Sequence, residues 1–341
     1  MSEVDPPAER ALPRPTMLRE MTDRAVLDEV FTHHRVTRAE LAASTGISKP
    51  TISESVRRLE GAGLLSATGS RTGMRGRVAT FYELAPHAGH VLAIAVDQDG
   101  VRTLSTDLAG RSFDELHEPP VTPGDVDALI AALRRTVTRS LAIGNTAHGA
   151  ARAVAMSVAN PVDPVTRRII ALPDSPFPEG LLSPGEILAD LVQVSVLIDN
   201  DVNLAALAER RTGAAVDASS FAYLHVGAGL GLGLYIGDQL VRGAHGLAGE
   251  IGYLTTASAT GERWTTATAL ARQGFGRSDA PSNDVQAVLG MISRAEAGDA
   301  GAVEAVRRMG ATIGQAIAAT CVVVDPELVL LGGPIGSSPA L

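Results

Sequence analysis

The chain has 341 residues, enough for two or three domains and a sizeable core. Apolar residues make up 45% but aromatics only 3%, so the core must be aliphatic and rich in alanine. A single cysteine, Cys321, excludes an internal disulfide and a cysteine-based zinc site, and no apolar run approaches the length of a membrane span. The opening MSEVDPPAER has no apolar signal core, so the expectation is a cytoplasmic protein with no membrane contact. The net charge of −9 is unevenly spread. Residues 17–84 hold ten Lys/Arg against eight Asp/Glu, and the remainder nineteen against thirty. A basic-leaning front on an acidic body fits a module that meets nucleic acid, joined to a body that does not.

Residues 1–16 carry Pro6, Pro7, Pro13 and Pro15 among polar residues and read as a disordered arm. A helix is predicted from about Met17, with Leu18, Met21, Ala25, Val26, Val30 and Phe31 at helical spacing. Thr37 can cap the next, short helix, with Glu40 as its capping-box partner. Gly46 supplies a tight turn, Ser48 caps a further helix, and Pro50 is tolerated in its first turn. That helix places Ile52, Val56 and Leu59 on one face, and Gly61 and Gly63 end it. Two helices joined by a short glycine turn make a helix-turn-helix. Ser48, Lys49, Thr51, Ser53 and Arg57 are the residues placed to meet a major groove. Short strands are predicted at Leu64-Leu65 and Thr80–Leu84. The glycine-rich loop between them carries Arg71, Arg75 and Arg77 as a wing for phosphates or the minor groove.

Residues 85–90 read as a linker and 91–96 as a buried strand ending at Asp97. Helices follow at 125–143, 187–192 and 204–211, and strands at 154–158 and 194–198, so the body is α/β. The run Asp199-Asn200-Asp201-Val202-Asn203 sits at a strand's C-terminal end, a common place for ligand chemistry. Helix capping by Asp201 or Asn203 would explain one of these polar residues but not the cluster. Next comes LHVGAGLGLGLYIGDQLVRGAHGLAGEIGYL, Leu224–Leu254. Strand follows strand across Gly227, Gly229, Gly231 and Gly233, whose bare face admits another backbone or a phosphate. The second strand is predicted at 232–236, with a turn at Gly237-Asp238, and Glu250 is fixed between Gly249 and Gly252. Helices at 285–294 and 302–317 lead to Cys321, where a turn enters a buried strand and then Gly332-Gly333.

The glycine hairpin with G-E-I-G resembles the signature of the ROK family (repressor, open reading frame, kinase), and the resemblance runs from Val91 onward. It implies a two-lobed, actin-like ATPase (ribonuclease H-like) body of the sugar-kinase type over 86–341, with lobe I at about 91–200 and lobe II at about 201–341. Residues 17–85 resemble the winged helix-turn-helix of ROK regulators. The family's G-R-P wing motif is here Gly76-Arg77-Val78. The resemblance makes Asp201 the counterpart of the kinases' general base, here vestigial, and Asn200 a sugar hydrogen-bonder. Glu250, Tyr253 (in place of the family's histidine) and Glu262 complete the implied sugar set. Such a set suits a sugar, because each hydroxyl both donates and accepts. Asn160-Pro161-Val162-Asp163 resembles the family's P-G-x-V-D turn.

Several departures count against a kinase. The family's D-x-G-G-T is here Asp97-Gln98-Asp99-Gly100-Val101, which sets a carboxylate where phosphate would approach. Ala228 and Leu232 replace a threonine and a glycine of G-T-G-x-G-G-G, and the zinc loop is excised, so neither a metal nor a cofactor is expected. The resemblance also implies further strand and helix beyond Leu341, hence a truncated gene or fragment. The leading expectation is a sugar-responsive transcriptional regulator, usually a repressor. Its partners would be operator DNA and a sugar effector, and it would act as a homodimer or higher homo-oligomer. A sugar kinase with a fused DNA-binding domain, and a DNA-binding dimer that has lost its ligand, remain the alternatives.

Overall fold

The computed structural model describes residues 15–72, 78–97, 99–122, 124–172, 182–227, 229–257, 263–265 and 285–339. The first helix, α1 (Pro15–His33), is followed by a two-residue strand β1 (Val36–Thr37), α2 (Arg38–Thr45) and α3 (Lys49–Gly61). Thr37 caps α2 in a full capping box. Its hydroxyl accepts the Glu40 N–H at 3.2 Å, and its own N–H donates to Glu40 Oε2 at 2.8 Å. Gly46 turns the chain at φ 69°, a left-handed conformation that suits glycine. Ser48 caps α3. Val26 and Val30 of α1 pack on Leu41, Ile52, Val56 and Leu59, and Tyr82 closes the cluster. Strands β2 (Leu65–Thr72) and β3 (Val78–Leu84) form the wing, in a sheet ordered β1-β3-β2.

Lobe I is a five-stranded sheet of β4 (His90–Asp97), β5 (Gly100–Asp107), β6 (Ser112–Glu118), β7 (Ala151–Val158) and β8 (Val196–Asn200). Its order is β6-β5-β4-β7-β8. The first three strands are antiparallel neighbours, and β7 and β8 run parallel to β4. Helix α4 (Val126–His148) buries Leu129, Leu133 and Val137 against Leu92, Ile94 and Met156 of the sheet. A single turn, α5 (Pro184–Ile187), precedes β8, and α6 (Asp201–Thr212) leaves it.

Lobe II opens the same way. Strands β9 (Phe221–Val226), β10 (Leu230–Ile236) and β11 (Gln239–Val241) form an antiparallel meander. A short hairpin, β12 (Thr255–Ala257) and β13 (Arg263–Thr265), stands where the resemblance implies a zinc loop. Helices α7 (Val285–Glu296) and α8 (Ala300–Val324) follow, then β14 (Leu328–Gly332) and the single turn α9 (Gly333–Gly336). Strand β14 adds parallel to β9, giving the order β11-β10-β9-β14. Each lobe is thus a meander of three strands whose first member receives a parallel strand. Alternation along β9 sends Ala222, Leu224 and Val226 toward α7 and α8, and Phe221 and Tyr223 toward α6.

Several expectations need correction. Helix α1 begins at Pro15, inside the expected arm, because proline suits the first turn of a helix. Of the residues at helical spacing, Leu18, Met21 and Phe31 are exposed, while Val26 and Val30 are buried in the core with Leu27 partly buried against it. The 85–90 stretch is not all linker: Ala88 is buried, and His90 is a fully buried residue of β4. The expected helix at 187–192 is displaced to 184–187, where Pro184 and Ser183 start it. Strand β8 reaches Asn200, so the polar run begins inside the sheet. Strand β10 starts at Leu230, two residues early, and Cys321 lies in the last turn of α8 instead of in a loop. The polar strands β5 and β6 have no counterpart in the sequence reading. Among the described residues, no helix is long and apolar enough to cross a membrane.

The capping box carries a test. Thr37→Ala removes a buried cap and should lower the stability of the N-terminal module by about 1 kcal/mol. Thermal unfolding followed by circular dichroism checks it, with Thr37→Ser retaining most of the stability.

Candidate functional site

The cleft site is built from the junction of β8 and α6. Asn200 is the N-cap of α6: its side-chain oxygen accepts the N–H groups of Val202 at 3.0 Å and Asn203 at 3.1 Å. Capping therefore falls to Asn200 instead of the Asp201 or Asn203 weighed as alternatives. Asn200 is buried, and its amide NH2 donates to the Asn160 carbonyl at 3.4 Å. Asp199, one residue earlier, is buried and structural. Its Oδ1 accepts the Asn200 N–H at 2.9 Å and the Asn203 amide at 3.4 Å. Its Oδ2 accepts Arg242 Nε at 2.8 Å and Nη2 at 2.5 Å. Arg242 follows β11, so this pair ties lobe I to lobe II. The sequence reading did not single it out.

Asp201 opens α6, and its carboxylate accepts the Val202 N–H at 2.7 Å. Burial raises its pKa to about 6 against that hydrogen bond, and the negative charge of Asp97 adds to the rise. Glu250 approaches from lobe II, and burial followed by the charge of Asp201 raises its pKa to about 7. The Glu250 carboxyl thus lies near enough to Asp201 to feel its charge, and two carboxyls raised chiefly by burial are of the kind seen at functional sites. The loop holding Glu250 is tightly specified. Gly249 has φ +94°, and a Cβ there would strike the Leu232 carbonyl oxygen. The Leu232 N–H donates to the Gly249 carbonyl at 2.9 Å. Gly246, at φ +75°, lies against the Val162 carbonyl of lobe I, where any side chain would collide. Tyr253 ends the short helix after Glu250 and is 44% exposed. Glu262 lies outside the described residues. No described group of three His, Cys, Asp or Glu side chains could hold a metal ion.

The glycine face is not bare. Helix α6 packs on it, with Val202 against Gly231, and Val202 and Ala206 against Gly233. The His225 ring lies against Gly227 and Gly333, and burial lowers its pKa. Of these alternate glycines, Gly229 has nothing within 4 Å of where its Cβ would stand. At the turn from β4 to β5, the Asp99 N–H is taken by Asp97 Oδ1 at 2.8 Å, while Arg102 donates to Asp97 Oδ2 at 2.8 Å.

In the N-terminal module, Ser48, Lys49, Thr51 and Arg57 are exposed along the start and outer face of α3, and Ser53 is half-buried. The hydroxyls of Ser48 and Thr51 pair at 2.8 Å, and Arg57 donates to Glu54 at 2.6 Å. Arg71 belongs to strand β2, paired with Ala79, instead of to a loop, because the hairpin ladder continues to Thr72. Arg75 and Arg77 lie outside the described residues. Two supports were not foreseen. Asp23 of α1 accepts Arg58 at 2.6 Å and Ser55 at 2.5 Å, fixing the angle of α3. Arg35 stacks on Phe81 at 4.3 Å and donates to the Thr68 carbonyl at 2.9 Å, bracing the wing.

A winged helix on a two-lobed, sugar-kinase-like body defines the class. The ROK family profile matches residues 93–341, and a winged helix-turn-helix DNA-binding profile matches residues 21–66. The chain belongs to the ROK family. It is 26% identical over 246 residues to a xylose repressor of Bacillus spizizenii, an alignment that spans 70% of this chain and 62% of that protein. The chain therefore spans under two thirds of the length of that relative. A glucokinase of Halalkalibacterium halodurans is 28% identical over 172 residues, covering 44% of this chain and 52% of the enzyme. A crystal structure of a ROK family transcriptional regulator, described as a homolog of E. coli MLC protein, shares the fold. Its TM-score is 0.70 at 19% identity, covering 93% of this chain and 84% of that one. The family thus holds kinases as well as the repressors this chain resembles.

The two raised carboxyls give a pH prediction. A carboxyl whose folded pKa lies above its unfolded value binds its proton more tightly when folded, so folded stability is lost as pH rises. The window runs from the ordinary carboxylate range up to about 7. The ligand-free body should melt at lower temperature at pH 8 than at pH 5.5. Glu250→Gln, which removes one of the two charges, should flatten that slope and raise the pH 8 melting temperature by roughly a few degrees. A steeper slope in the variant would contradict the placement of Glu250.

Proposed function

We propose that this chain is a sugar-responsive transcriptional repressor. Residues 17–85 bind operator DNA. The ROK body at 86–341, with lobe I at about 91–200 and lobe II at about 201–341, takes a sugar or sugar derivative between its lobes. The observation that carries the reading is a pair of largely buried carboxyls, Glu250 and Asp201, near enough for one to feel the other's charge, in a body fused to a helix-turn-helix. Two fixed carboxylates suit paired hydroxyls, since charged acceptors make the stronger hydrogen bonds. The Asn200 amide can donate, and Tyr253 and Glu262 would line the rim. Ser48, Lys49, Thr51, Ser53 and Arg57 would face the major groove, with Arg71, Arg75 and Arg77 on the wing. A homodimer would set two modules on two half-sites, in the cytoplasm with the chromosome.

The kinase reading is disfavoured on physical grounds. Phosphoryl transfer needs free backbone N–H groups and room around the phosphates. Here Asp97 occupies the N–H of the β4–β5 turn, and α6 covers the glycine face. Asp201 is then a sugar contact instead of a working base, and no cofactor is required.

The test is a titration of xylose and glucose into the full chain, followed by calorimetry. Glu250→Gln should lose roughly ten- to hundredfold in sugar affinity, from about 1.5–3 kcal/mol for a charged hydrogen bond, with operator affinity unchanged. Affinity should rise between pH 6 and 8 as Glu250 ionises. Equal affinity in both proteins would remove Glu250 from the site. Sugar phosphate formed from ATP by the wild type would replace the repressor reading with the kinase one.

A further inference from the structure

Among the described residues the outward seam of α1 is exposed, and its two charges, Arg24 and Asp28, lie 4.0 Å apart along the helix. Met17, Met21, Arg24, Asp28 and Phe31 recur at intervals of four and three residues, the spacing of a coiled-coil seam. Met17, Met21 and Phe31 are exposed although they are large and apolar, and Arg24 and Asp28 between them are 85% and 68% exposed. The opposite side of the helix supplies Val26 and Val30 to the module's core. Leu27 and Phe31 also border a groove of about 540 Å³ shared with Arg58, Leu59 and Leu64.

We propose that this seam pairs with α1 of a second copy of the chain, antiparallel, so that the two DNA-binding modules meet across a two-fold axis. The charge pattern selects both the partner and its direction. In an antiparallel pair centred on Val26, Arg24 faces Asp28 of the partner subunit and Asp28 faces Arg24 of the partner subunit. Met21 then lies against Phe31 of the partner subunit, and the reciprocal contact follows by symmetry. A parallel pair in register would set Arg24 against Arg24 and Asp28 against Asp28, with like charges at the centre of the seam. The seam is therefore complementary to itself in one orientation only. Two helices of this length bury less than the roughly 1,200 Å² of a stable interface, so the contact orders modules already brought together by the body or by DNA. The proposal builds on the dimeric DNA-binding reading above. Its test omits DNA and sugar, so its failure leaves that reading standing.

In a Cys321→Ser background, full-length chains carrying Met21→Cys are mixed with chains carrying Phe31→Cys and mildly oxidised. The mixed dimer should predominate over the Met21→Cys self-dimer, because the two copies of position 21 lie about ten residues apart along the pair, or roughly 15 Å. Arg24→Glu or Asp28→Arg alone should cut the mixed dimer several-fold, and the two changes together should restore it. Circular dichroism of each single variant confirms that α1 still folds. A mixed dimer no more abundant than one from chains carrying Thr146→Cys, an exposed site on α4, would overturn the pairing. So would single charge reversals that leave its yield unchanged.

Discussion

A largely buried charge pair, Asp199 with Arg242, ties the two lobes together, and the geometry of the cleft depends on it. Asp199 stands at the end of β8 with every acceptor position engaged: Asn200 N–H and the Asn203 amide on one oxygen, Arg242 on the other. Those bonds fix the last residues of β8 and the first turn of α6, and so the direction in which Asp201 points. Arg242 in turn precedes the loop from Gly243 to Gly249, whose Ala248 N–H returns to the Arg242 carbonyl at 3.2 Å. One guanidinium thus positions a carboxylate from each lobe. Removing it would strand Asp199 as an unpaired buried charge, the costly way to break such a pair.

The same scaffold explains why two neighbouring carboxyls are tolerated. Among the described residues neither Asp201 nor Glu250 forms an ion pair, and each is raised chiefly by its own burial. A protein that merely needed a packed interface would place apolar residues there. Holding two acceptors largely buried costs stability, and on the function proposed above that cost would be offset by hydroxyl donors. The glycines take the opposite part. They admit helix α6 and the Leu232 carbonyl so closely that the loop has little freedom to carry Glu250 elsewhere.

Much of this was legible in the sequence, and the gaps have physical causes. Capping signals at Thr37, Glu40, Ser48 and Gly46 act within a few residues, so the helix-turn-helix could be placed from local chemistry. Glu250 between glycines likewise marks its own loop. What could not be read locally are the partners of buried charges. Asp199 and Arg242 are 43 residues apart, and Asp23 and Arg58 are 35 apart, so nothing local pairs them. The occupant of the glycine face was left open for the same reason, since alternate glycines permit close approach without saying whether phosphate or another backbone takes the space. Strands β5 and β6 were not visible because polar residues fill them, and their pairing is set by β4 alongside.

On the function proposed above, a sugar in the cleft would influence the DNA-binding module only through matter that connects them, and the segment between them is not a slack tether. The Ala85 N–H donates to the Leu64 carbonyl beside α3, tying the start of the segment to the winged helix. Ala88 is buried, and its carbonyl accepts Arg152 Nε at 2.7 Å from β7. The Gly89 N–H donates to the His148 carbonyl at 2.8 Å. His90 Nδ1 donates to the Gly149 carbonyl at 2.8 Å, with its ring seated against Gly144 of α4. Lobe I and the winged helix are therefore joined by hydrogen bonds at both ends of a stretch of about six residues. Movement of lobe I relative to lobe II, around the Asp199–Arg242 pair, would carry the DNA-binding module with it. A ligand bridging Asp201 and Glu250 shifts that equilibrium only by its difference in affinity for the closed and open forms. Operator DNA must shift sugar affinity by the same factor.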